Sequence, residues 1–96
     1  MLKASTVQSK VMIEELGFVG LKLVLALGTK KELGIRELIA EARVSSSSIY
    51  RALTILYKYN LIKERSLYGR RLISLTKKGE KFAKLILEAE RVLSED

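Results

Sequence analysis

Apolar residues recur at helical spacing near both ends of this chain and at strand spacing only briefly in between. Met12, Leu16, Val19, Leu23 and Ala26 follow one another at steps of four, three, four and three, which predicts one helix running to about Leu27. Ser5 or Thr6 can cap its start, with Gln8 as a capping-box partner. Phe18, Leu21, Val24 and Leu25 give it a second apolar face, so it needs packing partners on two sides. Gly17 and Gly20 lie inside it and mark either a kink or a close crossing with another helix. Gly28 is expected to stop the helix, and Thr29 to Glu32 to form a polar loop.

A short strand at Leu33 to Ile35 comes next, with Gly34 as a weak cap for a helix over Arg36 to Ala42. That helix hides Leu38, Ile39 and Ala42 and turns Glu37 and Glu41 outward. Arg43 and Val44 make a tight turn, and Ser45 can cap the helix that follows. Within VSSSSIYRALTILYKYNLI, Val44 to Ile62, a rotation of 100° per residue puts Ile49, Ala52, Leu53 and Leu56 on one side. Ser47, Arg51, Thr54 and Lys58 fall opposite. Asn60 ends this helix as a residue that tolerates left-handed backbone. Leu61 to Arg65 and Arg71 to Leu75 read as two strands joined through Ser66, Leu67, Tyr68, Gly69 and Arg70, a hairpin with Arg70 and Arg71 at its tip. Thr76 caps a last helix, Lys77 to about Ser94, on which Phe82, Leu85, Ala89 and Val92 repeat at steps of three, four and three. Ile86 and Leu93 widen its stripe, and the apolar supply of the two long helices exceeds what so small a domain can hide. Pairing with a second copy through Met12, Leu16, Val19, Phe82, Leu85, Ala89 and Val92 is the expectation, against the plainer one that both helices pack on their own domain.

Ninety-six residues suit one domain, with 48% apolar and 30% charged residues marking a folded chain. The net charge of +7 is unevenly spread. Arg43 to Lys84 holds eleven basic residues against two acidic, a net of +9, while the chain before it carries +1 and the tail −3. An acidic partner is therefore expected on the side of the middle amphipathic helix and the hairpin. The outward face of that helix suits a DNA groove: arginine pairs with guanine edges, and serine and threonine reach bases or phosphates. Cysteine and histidine are both absent, which removes disulfides, thiolate zinc sites and the commonest general base. The glutamate pairs lie on polar helix faces beside cations, as solvated surfaces do, so no enzyme, metal or cofactor is expected. Gly28, Thr29 and Lys30 imitate a fragment of a phosphate loop but lack its other residues. The apolar run from Leu16 to Gly28 is interrupted by Lys22 and is too short to span a bilayer, so residence in the cytoplasm is expected.

GIRELIAEARVSSSSIYRALTILYKYNLI, Gly34 to Ile62, and GRRLISLTKKGEKF, Gly69 to Phe82, together resemble winged helix-turn-helix transcriptional regulators of the MarR, PadR and ArsR type. The resemblance implies a mainly α fold with a small β-hairpin and long N- and C-terminal helices. Residues 1–96 would form a single domain: N-terminal helix 1–27, helix-turn-helix 35–60, wing 61–75 and C-terminal helix 76–94. Carried over, the groove-reading positions fall on Ser47, Ser48, Tyr50, Arg51 and Thr54, within a recognition helix of about 46–59. Phosphate-contacting positions fall on Ser46, Lys58, Arg70 and Arg71, with the wing 66–71 on the backbone or minor groove. The implied function is sequence-specific binding of double-stranded DNA as a homodimer. A winged helix used for protein assembly and a non-specific chromatin-type DNA binder are the alternatives. Departures from the family pattern are Arg43 and Asn60 where glycine is common, and a short wing without an aspartate before Gly69. The metal-sensing ArsR type needs cysteine or histidine ligands, which this chain lacks, and no effector pocket is legible.

Overall fold

Glycine positions decide the course of the first helix. The computed structural model describes residues 12–96, so the expected cap at Ser5, Thr6 and Gln8 lies outside the described residues. Helix α1 spans Met12–Lys30 but is broken at Gly17, whose φ of 66° and ψ of 178° lie outside the helical region. A first turn ending at Leu16 is thereby set at an angle to the straight helix that follows. Gly28 does not stop α1, contrary to expectation. The helix continues to Lys30, and Lys31 takes the left-handed conformation, φ 74°, with its N–H on the Leu27 carbonyl at 2.9 Å. A Cβ at Gly28 would stand 3.3 Å from the Ala83 Cβ, so this glycine marks the crossing of two helices.

Strand β1, Glu32–Gly34, leads into α2, Ile35–Ala42, which begins with the Gly34 N–H donating to the Glu37 carboxylate at 2.8 Å. Arg43 then turns the chain with φ 59°, at a cost of about 1 to 2 kcal/mol for an L-residue. Helix α3 spans Ser46–Lys58 and ends at Asn60, left-handed as expected with φ 60°. Strands β2, Ile62–Leu67, and β3, Arg70–Leu75, pair antiparallel from Ile62 opposite Leu75 to Leu67 opposite Arg70. β1 adds to the other edge of β3, giving the order β1-β3-β2. The hairpin turn is shorter than the expected five-residue loop: Tyr68 and Gly69 alone form it, with φ of 52° and 78°. Two positive φ values describe a type I′ turn, whose twist matches the flanking strands.

Helix α4, Lys77–Leu93, starts at a joint made by Thr76. The Thr76 N–H donates to the Leu61 carbonyl at 3.0 Å, its hydroxyl donates to the Asn60 carbonyl at 2.7 Å, and the same oxygen accepts from the Gly79 N–H at 3.0 Å. Leu23, Val24, Leu27, Leu38, Ile49, Leu56 and Ile73 form the fully buried centre. α1 therefore lies under α2, α3 and the sheet, and the polar side of α3 is left outside. Of α4 only Gly79 and Ala83 are buried, and its far half leaves the body with Leu85, Ala89, Val92 and Leu93 exposed.

The stripe expected to meet a second copy divides accordingly. Leu16 is 6% exposed in the chain's own core, and Val19 and Phe82 pack half-buried against that core. These three are spoken for by their own fold, because the kink at Gly17 and the seat of α4 turn them inward. Met12, Leu85, Ala89 and Val92 stay on the surface, as do Ile13 and Phe18 on α1 and Leu93 on α4.

Candidate nucleic-acid interface

The exposed side of α3 is set by the burial of Ile49, Ala52, Leu53 and Leu56 opposite. Ser47, Tyr50, Arg51, Thr54 and Lys58 lie within an arc of about 100° around the helix axis. All five are exposed, as is Ser46 in the first turn. Ser48 sits at the margin, half-buried, with its hydroxyl on the Ser45 carbonyl at 3.2 Å. Ser45 takes the N-cap position with extended backbone, φ −83°, but its side chain does not cap. Its hydroxyl meets those of Ser47 and Ser48 at 3.1 and 2.9 Å instead, so that among the described residues the Ser46 and Ser47 N–H groups have no side-chain acceptor, while the Ser48 N–H donates to the Ser45 carbonyl at 3.3 Å. Thr54 turns its hydroxyl back to the Tyr50 carbonyl at 2.9 Å. Arg51 has no hydrogen-bond or ion-pair partner among the described residues.

The flanks of this face are occupied by different elements. On one side the kinked start of α1 brings Glu15, Phe18 and Val19 to a shallow groove shared with Ser48, Arg51 and Ile55. On the other, Tyr57 reaches the hairpin, its hydroxyl donating to Glu64 of β2. Arg71 of β3 completes that contact, with its Nε 2.6 Å from the same carboxylate. The hairpin is thus fastened alongside the last turn of α3.

Four cations of this region are held by carboxylates of their own chain. Lys58 lies 2.7 Å from Glu15, which also accepts from the Tyr59 hydroxyl. Arg70 lies 3.0 Å from Glu37, Arg65 lies 2.7 Å from Glu32, and Arg71 pairs with Glu64 as above. Arg70 and Arg71 do not stand at the tip. They belong to β3, on opposite faces of the strand, and each is drawn back toward the body. Tyr68 and Gly69 occupy the tip itself.

No protein-family model matches the chain, and no curated protein matches it. Solved structures do. A MarR-family transcriptional regulator from Silicibacter pomeroyi superposes with a TM-score of 0.74 at 23% identity, over 83% of this chain and 57% of that one. The transcriptional repressor BigR from Xylella fastidiosa gives 0.71 at 17% identity, over 88% and 85% of the two chains. Sso10a-2, a DNA-binding protein from Sulfolobus solfataricus, gives 0.64 at 18% identity, over 75% and 78%. The chain has the winged helix-turn-helix fold. It spans little more than half the length of the MarR-family neighbour.

In this winged helix, α2 and α3 are the helix-turn-helix pair and the β2-β3 hairpin is the wing. The carboxylates that brace the wing were not legible as partners in the sequence. Glu37 carried one signal: it lies three residues after Gly34, at the position where a glutamate returns to the start of its own helix. Glu15, Glu32 and Glu64 carried none, since an ion pair between distant segments has no sequence period. The Glu37 carboxyl is held below its ordinary value of 4.5 by the Gly34 N–H and then by Arg70. Arg65 does the same to Glu32, and Arg71 with Tyr57 to Glu64. Burial, and then the hydrogen bond to Glu64, raises the Tyr57 phenol.

Depressed carboxyl values give a definite pH dependence. Stability from these three pairs is fully present above the unfolded value of 4.5 and is lost as pH falls through the lower folded values. Urea midpoints should therefore stay level from neutral pH down to about 5 and decline below it, by a modest amount because the pairs are solvated. Level midpoints through pH 3 would show the wing is not braced by carboxylates. Among the described residues no group of acidic, cysteine or histidine side chains can hold a metal, and no helix is long and apolar enough to cross a membrane.

Proposed function

We propose that this winged helix is a sequence-specific, double-stranded DNA-binding transcriptional regulator, resident in the cytoplasm and acting as a homodimer. The observation that carries the reading is the bare polar side of α3, where Arg51, without a partner among the described residues, stands among Ser47, Tyr50 and Thr54. Placed in a major groove, Arg51 can take both acceptors of a guanine edge, while Ser47, Ser48, Tyr50 and Thr54 make the shorter contacts around it. Ser46 and the N–H groups of Ser46 and Ser47, which have no side-chain acceptor among the described residues, suit a phosphate oxygen, which the positive end of the helix attracts. Lys58, Arg70 and Arg71 are suited to phosphates as well, after exchange of their carboxylates for the DNA backbone.

That exchange favours base reading over indiscriminate binding. Non-specific affinity comes almost wholly from neutralising phosphates, and here the flanking cations already have counter-charges. The dimer is supported by the exposed apolar residues Leu85, Ala89 and Val92 on the projecting half of α4, together with Met12 on α1. Two-fold pairing would present two α3 helices to half-sites one helical turn apart, about 34 to 36 Å.

Selection of bound sequences from a random duplex pool tests the reading. A palindromic consensus with half-sites at that spacing is expected. Comparable affinity for selected and random duplexes would replace it with a chromatin-type binder, and absence of any salt-sensitive duplex binding with retention of a protein partner would replace it with an assembly module.

A further inference from the structure

The wing ends in an aromatic ring rather than a cation. β1 pairs with β3 only as far as Gly34 opposite Leu72, so the hairpin beyond that point is a free two-stranded ribbon. From Arg71, where the wing is fastened to Tyr57 through Glu64, the chain advances about 10 Å to Tyr68. Tyr68 is 95% exposed there, and Leu67 beside it is 38% exposed. Its backbone sits at φ 52°, a left-handed conformation that glycine, asparagine and aspartate fill far more easily than an aromatic residue. Among the described residues the ring has no hydrogen bond or ring contact, so its own fold gains nothing from it. The three wing arginines are all drawn to carboxylates below the tip: Arg65 to Glu32, Arg70 to Glu37, and Arg71 to Glu64. What the ribbon offers at its end is an apolar wedge on a stalk whose arginines are already paired.

We infer that Tyr68, backed by Leu67, enters the minor groove beside the half-site read by α3 and partly unstacks one base step. Side chains of this kind kink duplexes in other minor-groove complexes by opening a step from that side. Pyrimidine–purine steps, TA and CA, open most easily, so Tyr68 adds a preference for one of them at a fixed distance outside the half-site. This preference is read from deformability and needs no hydrogen bond to a base. The inference rests on the proposed DNA binding and goes beyond it, because α3 can read a major groove with the wing tip idle.

The test uses the full chain and the tightest-bound duplex of the random pool, with 2-aminopurine placed in turn at each step flanking the half-site. Wild-type protein should raise the fluorescence at one flanking step, which reports unstacking there. Tyr68→Ser should bind the same duplex roughly ten-fold more weakly and abolish the rise, because one aromatic–base stack is lost. Tyr68→Phe should keep both, since the hydroxyl has no part in the wedge. Circular dichroism of Tyr68→Ser should match wild type, the ring having no partner to lose. Binding without a rise at any step, or a rise that survives Tyr68→Ser, overturns the wedge and leaves the reading by α3 standing. Failure to bind any duplex overturns both.

Discussion

Gly79→Ala should destabilise the chain by about 3 kcal/mol, at the upper end of what overpacking costs. The Cβ it adds would lie 2.0 Å from the Leu61 carbonyl oxygen and 3.0 Å from its carbon. A flexible side chain could swing away from such an intrusion, but this neighbour is backbone. It is held in place by the Thr76 N–H at 3.0 Å, while the Thr76 hydroxyl holds the adjoining Asn60 carbonyl at 2.7 Å. Relief therefore requires α4 to lift off the joint between α3 and β2, with loss of both bonds and of the Ala83 contact with α1. The sign of the change is diagnostic. In an unobstructed helix interior the same substitution stabilises by about 1 kcal/mol, because alanine is the better helix former. Lys78→Ala, one position earlier and exposed, should stay within about 0.5 kcal/mol of wild type. Urea denaturation of the two variants beside wild type decides the matter, and a Gly79→Ala midpoint at or above wild type would mean that α4 is not seated on Leu61.

Gly79 also shows where sequence reading stops. A glycine in the first turn of a good helix signals a close approach, but nothing local says to what. The periodicities found α1, α3 and α4 because each helix has a stripe that must be hidden, and Asn60 and Thr76 marked joints through a left-handed backbone preference and a side-chain cap that act within a few residues. Period alone does not say which body hides a stripe. Leu16 and Phe82 have the same spacing as Met12 and Leu85, yet the first two face their own core and the others solvent. Gly28 looked like a stop because glycine usually follows a helix, whereas here it makes room for Ala83. The hairpin turn is tighter than the sequence suggests because Tyr68 is an unusual occupant of a type I′ turn. The polar face of α3 was legible as a pattern, but the pairing of Lys58 with Glu15 and of Arg70 with Glu37 joins residues 43 and 33 positions apart. Those pairs change which cations are free, and with that the weight each is expected to carry.

Arg51→Ala should weaken binding to the selected duplex by about 1 to 3 kcal/mol per half-site and relax base choice at one position of each. Folding should be unaffected, since the side chain is exposed and has no partner among the described residues. The loss is specific because a bidentate arginine contact discriminates guanine from the other bases, so affinity for a scrambled duplex should fall much less. Arg70→Ala sets the contrast. A phosphate contact carries no sequence information, so this variant should weaken selected and scrambled duplexes alike and lower the dependence on salt. Its effect should be smaller than that of Arg51→Ala, because Arg70 must first leave Glu37, 3.0 Å away, before it can serve DNA. Affinities of both variants for both duplexes, measured across a salt series, separate the two roles. Equal losses for Arg51→Ala on selected and scrambled duplexes would remove α3 as the reading element, and unchanged binding by both variants would move the contact face elsewhere on the molecule.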